Sequence, residues 1–154
     1  YNLTPISSTA IRRALHEGRI ADANAMLGYP YALTGTVVHG RHIGTELGFP
    51  TANLSVPTDK LIPKAGVYIA QLTDSPIHQL PCLVNIGTNP TFGTDLPLSV
   101  EIHIPNCHED LYGQSLTVQL MAFIRDEKNF ANSQQLQQQI QEDIRQMEQL
   151  LQNN

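Results

Sequence analysis

The chain has 154 residues, a net charge of −5 and 41% hydrophobic residues, which is typical of one globular domain with at most a small appendage. Nine basic residues against 14 acidic ones provide no basic stripe, so nucleic-acid binding is not expected. No apolar run reaches membrane-spanning length, and the two cysteines provide neither a disulfide framework nor paired metal spacing. These features predict a cytoplasmic protein with no membrane partner.

Residues 1–28 differ from the rest of the chain and predict two short helices. Ser7, Ser8 and Thr9 are N-cap formers ahead of a helix over 10–17, which Gly18 would end. A second helix over 20–27 would end at Gly28. Helices of this length bury little surface on their own, so one interpretation is a helical hairpin packed on the following domain.

From residue 31 the pattern becomes that of β-strands. Short runs rich in β-branched residues cover 31–38, 66–72, 80–86 and 99–104, bounded by Pro, Gly or Asp. A longer run follows in which five apolar residues alternate and should share one face: Leu116, Val118, Leu120, Ala122 and Ile124. Five or six short strands without intervening helices indicate an antiparallel barrel or sandwich.

The C-terminal segment predicts a long amphipathic helix. Asn132 and Gln135 match an N-cap residue and its partner three positions on. An apolar stripe then recurs every three or four residues, at Leu136, Ile140, Ile144, Met147 and Leu151. We expect this helix to lie against one side of the barrel.

A cation site is predicted at the segment GFPTANL, residues 48–54. Pro50 favours extended geometry before it, and in an extended run Thr51 and Asn53 project to the same side. Two neutral oxygen ligands suit Mg²⁺ that carries phosphates. The segment alone fits equally well a turn in which both side chains bond local backbone.

Phosphate binding would have to use backbone amides, because the chain contains no Walker A motif. The glycine-spaced loop over 40–48, with Gly40, Gly44 and Thr45, could bring amides close to an anion, although such loops are more often plain hairpins. Glu101 and His103 should share the face opposite the core. Alternation alone favours a solvent-facing Glu101, and a zinc site at His103, Cys107 and His108 lacks regular spacing.

These motifs occur together in an order that resembles a known family. GFPTANL is followed by the segments GVY (66–68), NIGTNPTF (85–92), VEIH (100–103), LYG (111–113) and IRDEKNF (124–130). Over residues 31–145 they resemble riboflavin kinases, specifically the kinase module of bacterial bifunctional riboflavin kinase/FAD synthetases. The resemblance implies a mainly β fold: a six-stranded antiparallel Greek-key barrel with a long C-terminal α-helix and a short helical N-terminal appendage.

The same resemblance implies ATP-dependent phosphorylation of riboflavin at its 5′-hydroxyl to give FMN, with Mg²⁺ or another divalent cation. Glu101 matches the residue that accepts the proton of that hydroxyl. Thr51 and Asn53 match the metal ligands, and Arg125, Glu127 and Lys128 match a stretch that contacts the flavin. The ATP-binding set is Gly40, Gly44, Thr45 and His103, although many bacterial relatives have Arg at the position of Thr45.

Residues 6–12 resemble the closing segment of the family's adenylyltransferase domain. We therefore expect residues 1–28 to be a remnant of that domain, residues 29–154 to form the kinase domain, and the missing domain to be a partner in the same polypeptide. Adenylyltransferase activity is not expected from these 154 residues. Two alternatives stay open: a catalytically idle flavin- or nucleotide-binding barrel, and a barrel that binds oligonucleotides or a protein.

Overall fold

The helices and strands follow the predicted order along the chain. A computed structural model describes residues 8–38, 51–57, 59–73, 80–87, 99–105, 111–128 and 131–152. The elements within these ranges are α1 (Ser8–His16), α2 (Ile20–Leu27), β1 (Ala32–Val38), β2 (Thr51–Ser55), β3 (Gly66–Thr73), β4 (Leu80–Gly87), β5 (Ser99–His103), β6 (Ser115–Arg125) and α3 (Ser133–Gln152). Of the helices in these ranges, none is long and apolar enough to cross a membrane.

The six strands form a closed antiparallel barrel in the order β1-β2-β5-β4-β3-β6, with β1 and β6 pairing to complete it. β3, β4 and β5 are a meander, and β2 pairs with β5 at the end of that meander, which is a Greek-key arrangement. The predicted fold class is confirmed. Closure removes the free strand edges that an open sheet would expose.

The barrel interior is filled by alternate side chains from the strands. The inward residues include Leu33, Tyr68, Val84, Ile86, Val100, Ile102, Leu116, Val118 and Leu120, all at most 3% exposed. The predicted inward face of β5 is therefore confirmed. Cys82 belongs to the same buried cluster, and its burial raises the pKa of the thiol to about 12.

Cys82 should consequently be unreactive in the folded protein. The thiolate is the nucleophile, and a buried thiol with a raised pKa is almost entirely protonated at pH 8. In a Cys107→Ser variant, which leaves Cys82 as the remaining thiol, we expect no rapid reaction with a disulfide reagent at pH 8 until denaturant is added. Stoichiometric reaction in the native protein within the mixing time would contradict the burial of this strand.

The α1–α2 hairpin is part of the barrel core. Ala14, Leu15, Ile20 and Ala23 belong to the same buried cluster as the inward strand residues. Asn24 fixes α2 to the barrel, because its Nδ2 donates to the carbonyl of Leu120 at 2.8 Å and its Oδ1 accepts from the amide of Tyr31 at 2.7 Å. The predicted packed hairpin is observed, with Gly28 ending α2 in a left-handed conformation.

The prediction that residues 116–124 of β6 share one inward face is wrong beyond Leu120. The register of β6 against β3 shifts twice, leaving Met121 and Ile124 as extra residues. Each bulge reverses the alternation. Phe123 consequently pairs with Tyr68, with ring centroids 5.2 Å apart, whereas Ala122 and Ile124 pack outside the barrel with Val67, Ile69, Leu83 and Met147.

α3 lies on this outer apolar cluster. Its N-terminus has the predicted cap, since the amide of Gln135 donates to Asn132 Oδ1 at 2.9 Å and Gln135 Oε1 accepts from the amide of Ala131 at 3.1 Å. Met147 is buried against the barrel. The predicted stripe does not extend to the end of the helix, however, since Leu151 is 41% exposed.

Candidate functional site

The candidate site lies on the outer wall of the barrel, where β2, β5 and β4 run side by side. In the backbone register Asn53 pairs with Glu101, and Glu101 pairs with Asn85 on its other side. Directly opposed residues of antiparallel strands have Cβ atoms about 4.5–5.5 Å apart. Two amide side chains therefore flank one carboxylate on the same face, with Glu101 half-buried and Asn85 exposed.

We call Asn53, Glu101 and Asn85 the Glu101 row. On the outer wall it continues through β3 to Arg125, which begins the stretch that the family resemblance matches to flavin contact. Asn85 pairs with Val67 of β3, and Val67 pairs with Arg125 at the end of β6. Thr51 and His103 form a neighbouring pair, and His103 also pairs with Leu83. His103 is buried at 9% exposure, and Leu83 packs under α3. Glu101 and His103 thus lie on the outer face, as the alternation predicted.

Asn53 carries an unusual polar group. Within the described ranges, its Nδ2 is the one buried side-chain nitrogen or oxygen atom without a hydrogen-bond partner. A buried polar atom without a partner is costly, and such atoms often mark ligand sites. Rotation of the amide by 180° exchanges its nitrogen and oxygen, and the two orientations are assigned from their partners. The oxygen of Asn53 can therefore be presented where the nitrogen now lies.

The side-chain oxygens of Thr51, Asn53 and Glu101 suit a hard cation whose remaining ligands are phosphate oxygens and water. Amide, hydroxyl and carboxylate oxygens suit Mg²⁺, which usually takes one or two protein oxygens together with substrate phosphates and water. In the described part of the chain, no group of three or more His, Cys, Asp or Glu side chains could hold a metal by itself. The fit is thus to a nucleotide-bound cation rather than to a closed protein site.

Arg125 has a well-defined set of partners. Its Nε and Nη2 donate to Asp143 of α3 at 2.9 Å and 2.8 Å, and its Nη1 donates to the backbone carbonyl of Asp126 at 3.2 Å. The side chains of Arg125 and Asp143 are 14% and 3% exposed. Arg125 therefore joins the end of β6 to α3.

Glu127 and Lys128 follow directly and face different neighbours. Glu127 lies against β4 and β5, because a Cβ added to Gly87 would be 3.0 Å from Glu127 Oε2 and Ser99 Oγ lies on the same side. A larger residue at position 87 would displace this carboxylate. Lys128 Nζ donates to Gln139 Oε1 of α3 at 3.2 Å. Of the three predicted flavin contacts, Glu127 therefore lies beside β4 and β5, whereas the side chains of Arg125 and Lys128 are bound to α3.

Several predicted residues lie outside the described ranges. These are Gly40, Gly44 and Thr45 of the glycine-spaced loop, together with Cys107 and His108 of the rejected zinc set. Asn85 lies within β4, as expected from the strand predicted over 80–86, but its place beside Glu101 was not predicted. The signal was present in the sequence, since Asn85 is a polar residue between the inward Val84 and Ile86.

Asp143 is the residue that sequence reasoning missed. It is three residues after Ile140 and four before Met147, so it lies on the apolar stripe of α3. A charged residue on a buried stripe usually has a partner, and that rule would have found it.

The fold and this surface define a closed six-stranded β-barrel with a row of amide and carboxylate side chains on its outer wall. A family model for flavokinase (riboflavin kinase) matches residues 27–151. The chain therefore belongs to the riboflavin kinase family.

Curated relatives give the same result. The chain is 43% identical over 138 residues to a bifunctional riboflavin kinase/FMN adenylyltransferase of Listeria monocytogenes, covering 90% of this chain and 44% of the relative. It is 41% identical over 139 residues to the protein of the same description in Escherichia coli K12, with the same coverage. The chain thus spans somewhat less than half the length of these relatives.

Solved structures share the fold. A Streptococcus pneumoniae chain described as a macrolide-efflux protein superposes with a TM-score of 0.86 at 32% identity, covering 94% of this chain and 47% of that one. Riboflavin kinase from Trypanosoma brucei superposes with a TM-score of 0.56 at 25% identity, covering 80% of each chain. The first agreement extends over nearly the whole of this chain.

Proposed function

We propose that this chain transfers the γ-phosphoryl group of ATP to the 5′-hydroxyl of riboflavin, giving FMN and ADP. Membership of the riboflavin kinase family supports the reaction class. The observation that supports a role for particular residues is the register Asn53–Glu101–Asn85, which places one carboxylate between two amides on the outer face of the barrel.

In this proposal Glu101 is the general base. It accepts the proton of the riboflavin 5′-hydroxyl while that oxygen forms a bond to the γ-phosphorus. The bond from the γ-phosphorus to the bridging oxygen breaks, and its electron pair leaves with ADP. Phosphoryl transfer depends mainly on positioning and charge stabilisation, so a half-buried carboxylate held by a strand is well suited to orient the nucleophile.

Thr51 and Asn53 would hold the divalent cation of the nucleotide. When bound, the cation would offset charge on the phosphate oxygens. The buried Nδ2 of Asn53 has no hydrogen-bond partner in the described ranges, and rotation of the amide would place its oxygen there, which supports this assignment. Arg125, Glu127 and Lys128 would border the flavin, and His103 and the loop with Gly40, Gly44 and Thr45 would border the nucleotide.

The relatives' bifunctional description supports a further part of the proposal. Residues 1–28 would correspond to the end of an adenylyltransferase domain, and residues 29–154 to the kinase domain. The family match begins at residue 27, close to that division. The core contacts of α1 and α2 indicate that the hairpin nevertheless folds with the kinase barrel.

The function is tested by incubating the purified chain with riboflavin, ATP and Mg²⁺ and separating the flavins by chromatography. We expect FMN to form in proportion to enzyme and to require the divalent cation. Binding of flavin or nucleotide without FMN formation would instead support the idle flavin- or nucleotide-binding barrel. Absence of both binding and turnover would contradict the proposal.

Thr51→Ala and Asn53→Ala should each weaken binding of Mg·ADP while leaving riboflavin binding nearly unchanged. Loss of one oxygen that contacts a charged group is worth about 1.5–3 kcal/mol, or roughly 10- to 100-fold in affinity. Calorimetric titration with and without Mg²⁺ measures both ligands.

Thr34→Ala is the matched control for the metal assignment. Thr34 is exposed on β1, where its hydroxyl contacts Thr117 Oγ1 at 2.8 Å, so its loss should leave both affinities unchanged. If Mg²⁺ alters neither the nucleotide affinity of the unmodified chain nor the deficit of the two variants, the metal assignment is wrong.

A further inference from the structure

Asp143 of α3 is buried and charged, and the reaction described above does not use it. Its carboxylate accepts from Arg125 Nε at 2.9 Å and 3.2 Å, from Arg125 Nη2 at 2.8 Å and from Gln139 Nε2 at 3.0 Å. All of these partners belong either to α3 itself or to the end of β6. Asp143 is therefore the centre of a connection between the helix and the segment that follows β6.

Stability alone does not account for this ion pair. Removing two charges from water is costly, and apolar residues of similar volume would hold a helix on a barrel equally well or better. The surroundings of Asp143 already include apolar contacts of this kind, since Met147 and Ile144 pack on Val67, Ile69 and Leu83. A bidentate pair also fixes the orientation of the two side chains, because the planar guanidinium and the carboxylate align along two parallel hydrogen bonds.

Further contacts of the same group of side chains fix residues 126–128. Arg125 Nη1 donates to the carbonyl of Asp126, and Asp126 Oδ1 pairs with Lys64 at 2.9 Å. At the other end Lys128 donates to Gln139, which itself donates to Asp143. Glu127 lies between these two anchored residues, with its carboxylate beside Gly87.

We propose that Asp143 is a positioning residue that holds the 125–128 segment, through Arg125 and Gln139, in the conformation that binds riboflavin. The flavin part of this inference rests on the proposed function. Asp143 itself does not contact substrate. Its loss should therefore raise the KM for riboflavin and leave the KM for Mg·ATP and the dependence on Glu101 unchanged.

The test compares Asp143→Asn with Glu142→Gln. Glu142 is the neighbouring carboxylate on α3, and its ion pair with Arg145 is exposed on both sides, at 55% and 66%. We expect Asp143→Asn to raise the KM for riboflavin about 10-fold or more, the factor for one charge-assisted hydrogen bond. The KM for Mg·ATP should stay within about 2-fold, and Asp143→Glu should recover part of the loss. Glu142→Gln should behave like the unmodified chain.

Two further measurements separate positioning from folding. Hydrogen exchange of the ligand-free protein should show faster exchange over 125–128 in Asp143→Asn than in Glu142→Gln, a result that does not depend on turnover. If Asp143→Asn does not fold, Gln139→Ala removes the Lys128 link at less cost to the core and should still raise the KM for riboflavin selectively.

The outcomes distinguish the two proposals. If the unmodified chain makes no FMN while the exchange difference is present, the proposed function fails and the connection through Asp143 remains. If FMN forms but the folded variants lose thermal stability with no selective change in the KM for riboflavin, Asp143 is only a structural residue and the inference is overturned.

Discussion

Glu101→Gln is expected to reduce turnover by about 10²–10⁴-fold, the usual loss when a general base is removed. The amide has nearly the same shape as the carboxylate, so the row with Asn53 and Asn85 should keep its backbone register. It cannot accept the proton of the 5′-hydroxyl, and the nucleophile would remain a neutral alcohol. Riboflavin and Mg·ADP should therefore still bind, and the loss should appear in kcat. Initial rates of FMN formation and calorimetric titrations measure the two effects separately.

Glu148→Gln is a suitable control for this substitution, because Glu148 is an exposed carboxylate on α3. It removes the same charge from the chain and should leave the rate unchanged. Near-normal turnover by Glu101→Gln would remove Glu101 from the mechanism. Equal loss of kcat and of substrate binding would instead mean that Glu101 acts mainly in holding the substrates.

Gly66→Ala is expected to destabilise the fold strongly. Gly66 begins β3 with a φ of +149°, a conformation that residues with a Cβ rarely adopt. An added Cβ would lie 2.5 Å from a ring carbon of Phe123 and 2.6 Å from the carbonyl oxygen of Arg125. Backbone strain and overpacking each cost about 1–3 kcal/mol, so we expect a loss of roughly 2–6 kcal/mol in the free energy of unfolding. Denaturant titration measures it.

Gly28→Ala separates the cost of backbone strain from the cost of overpacking. Gly28 also has a positive φ, +83°, but an added Cβ there would meet no atom within 4 Å. Only the backbone term applies, about 1–2 kcal/mol. If both variants lose the same free energy, the close approach of β3 to Phe123 and Arg125 has no energetic consequence. Any fraction of Gly66→Ala that folds should also bind riboflavin weakly, since the displaced carbonyl belongs to Arg125.

Most of the architecture could be predicted because it depends on periodicity. Val100, Ile102 and Ile104 alternate without interruption, and the structure buries all three. Leu116 to Ile124 alternate equally well, but the bulge at Met121 reverses the faces of the residues that follow Leu120. A bulge depends on how β6 curves against β3, which is a long-range property that local alternation does not record.

The candidate site was predictable to a smaller extent. The outward position of Glu101 followed from alternation, but its register with Asn53 and Asn85 joins strands that are far apart in sequence. The residues of β2 and β5 could be placed together only through the family resemblance. Asp143 was missed because the partner that explains its charge, Arg125, belongs to a different element.

If phosphoryl transfer takes place on the outer wall formed by β2, β5 and β4, both ligands must bind there, and a crystal structure of the chain with Mg·ADP and FMN shows whether they do. We predict that the cation contacts oxygens of Thr51 and Asn53, and that a phosphate oxygen or O5′ of FMN lies within hydrogen-bonding distance of the Glu101 carboxylate. Ligands bound on the β1–β6 side of the barrel, or Glu101 turned to solvent away from both ligands, would contradict the account.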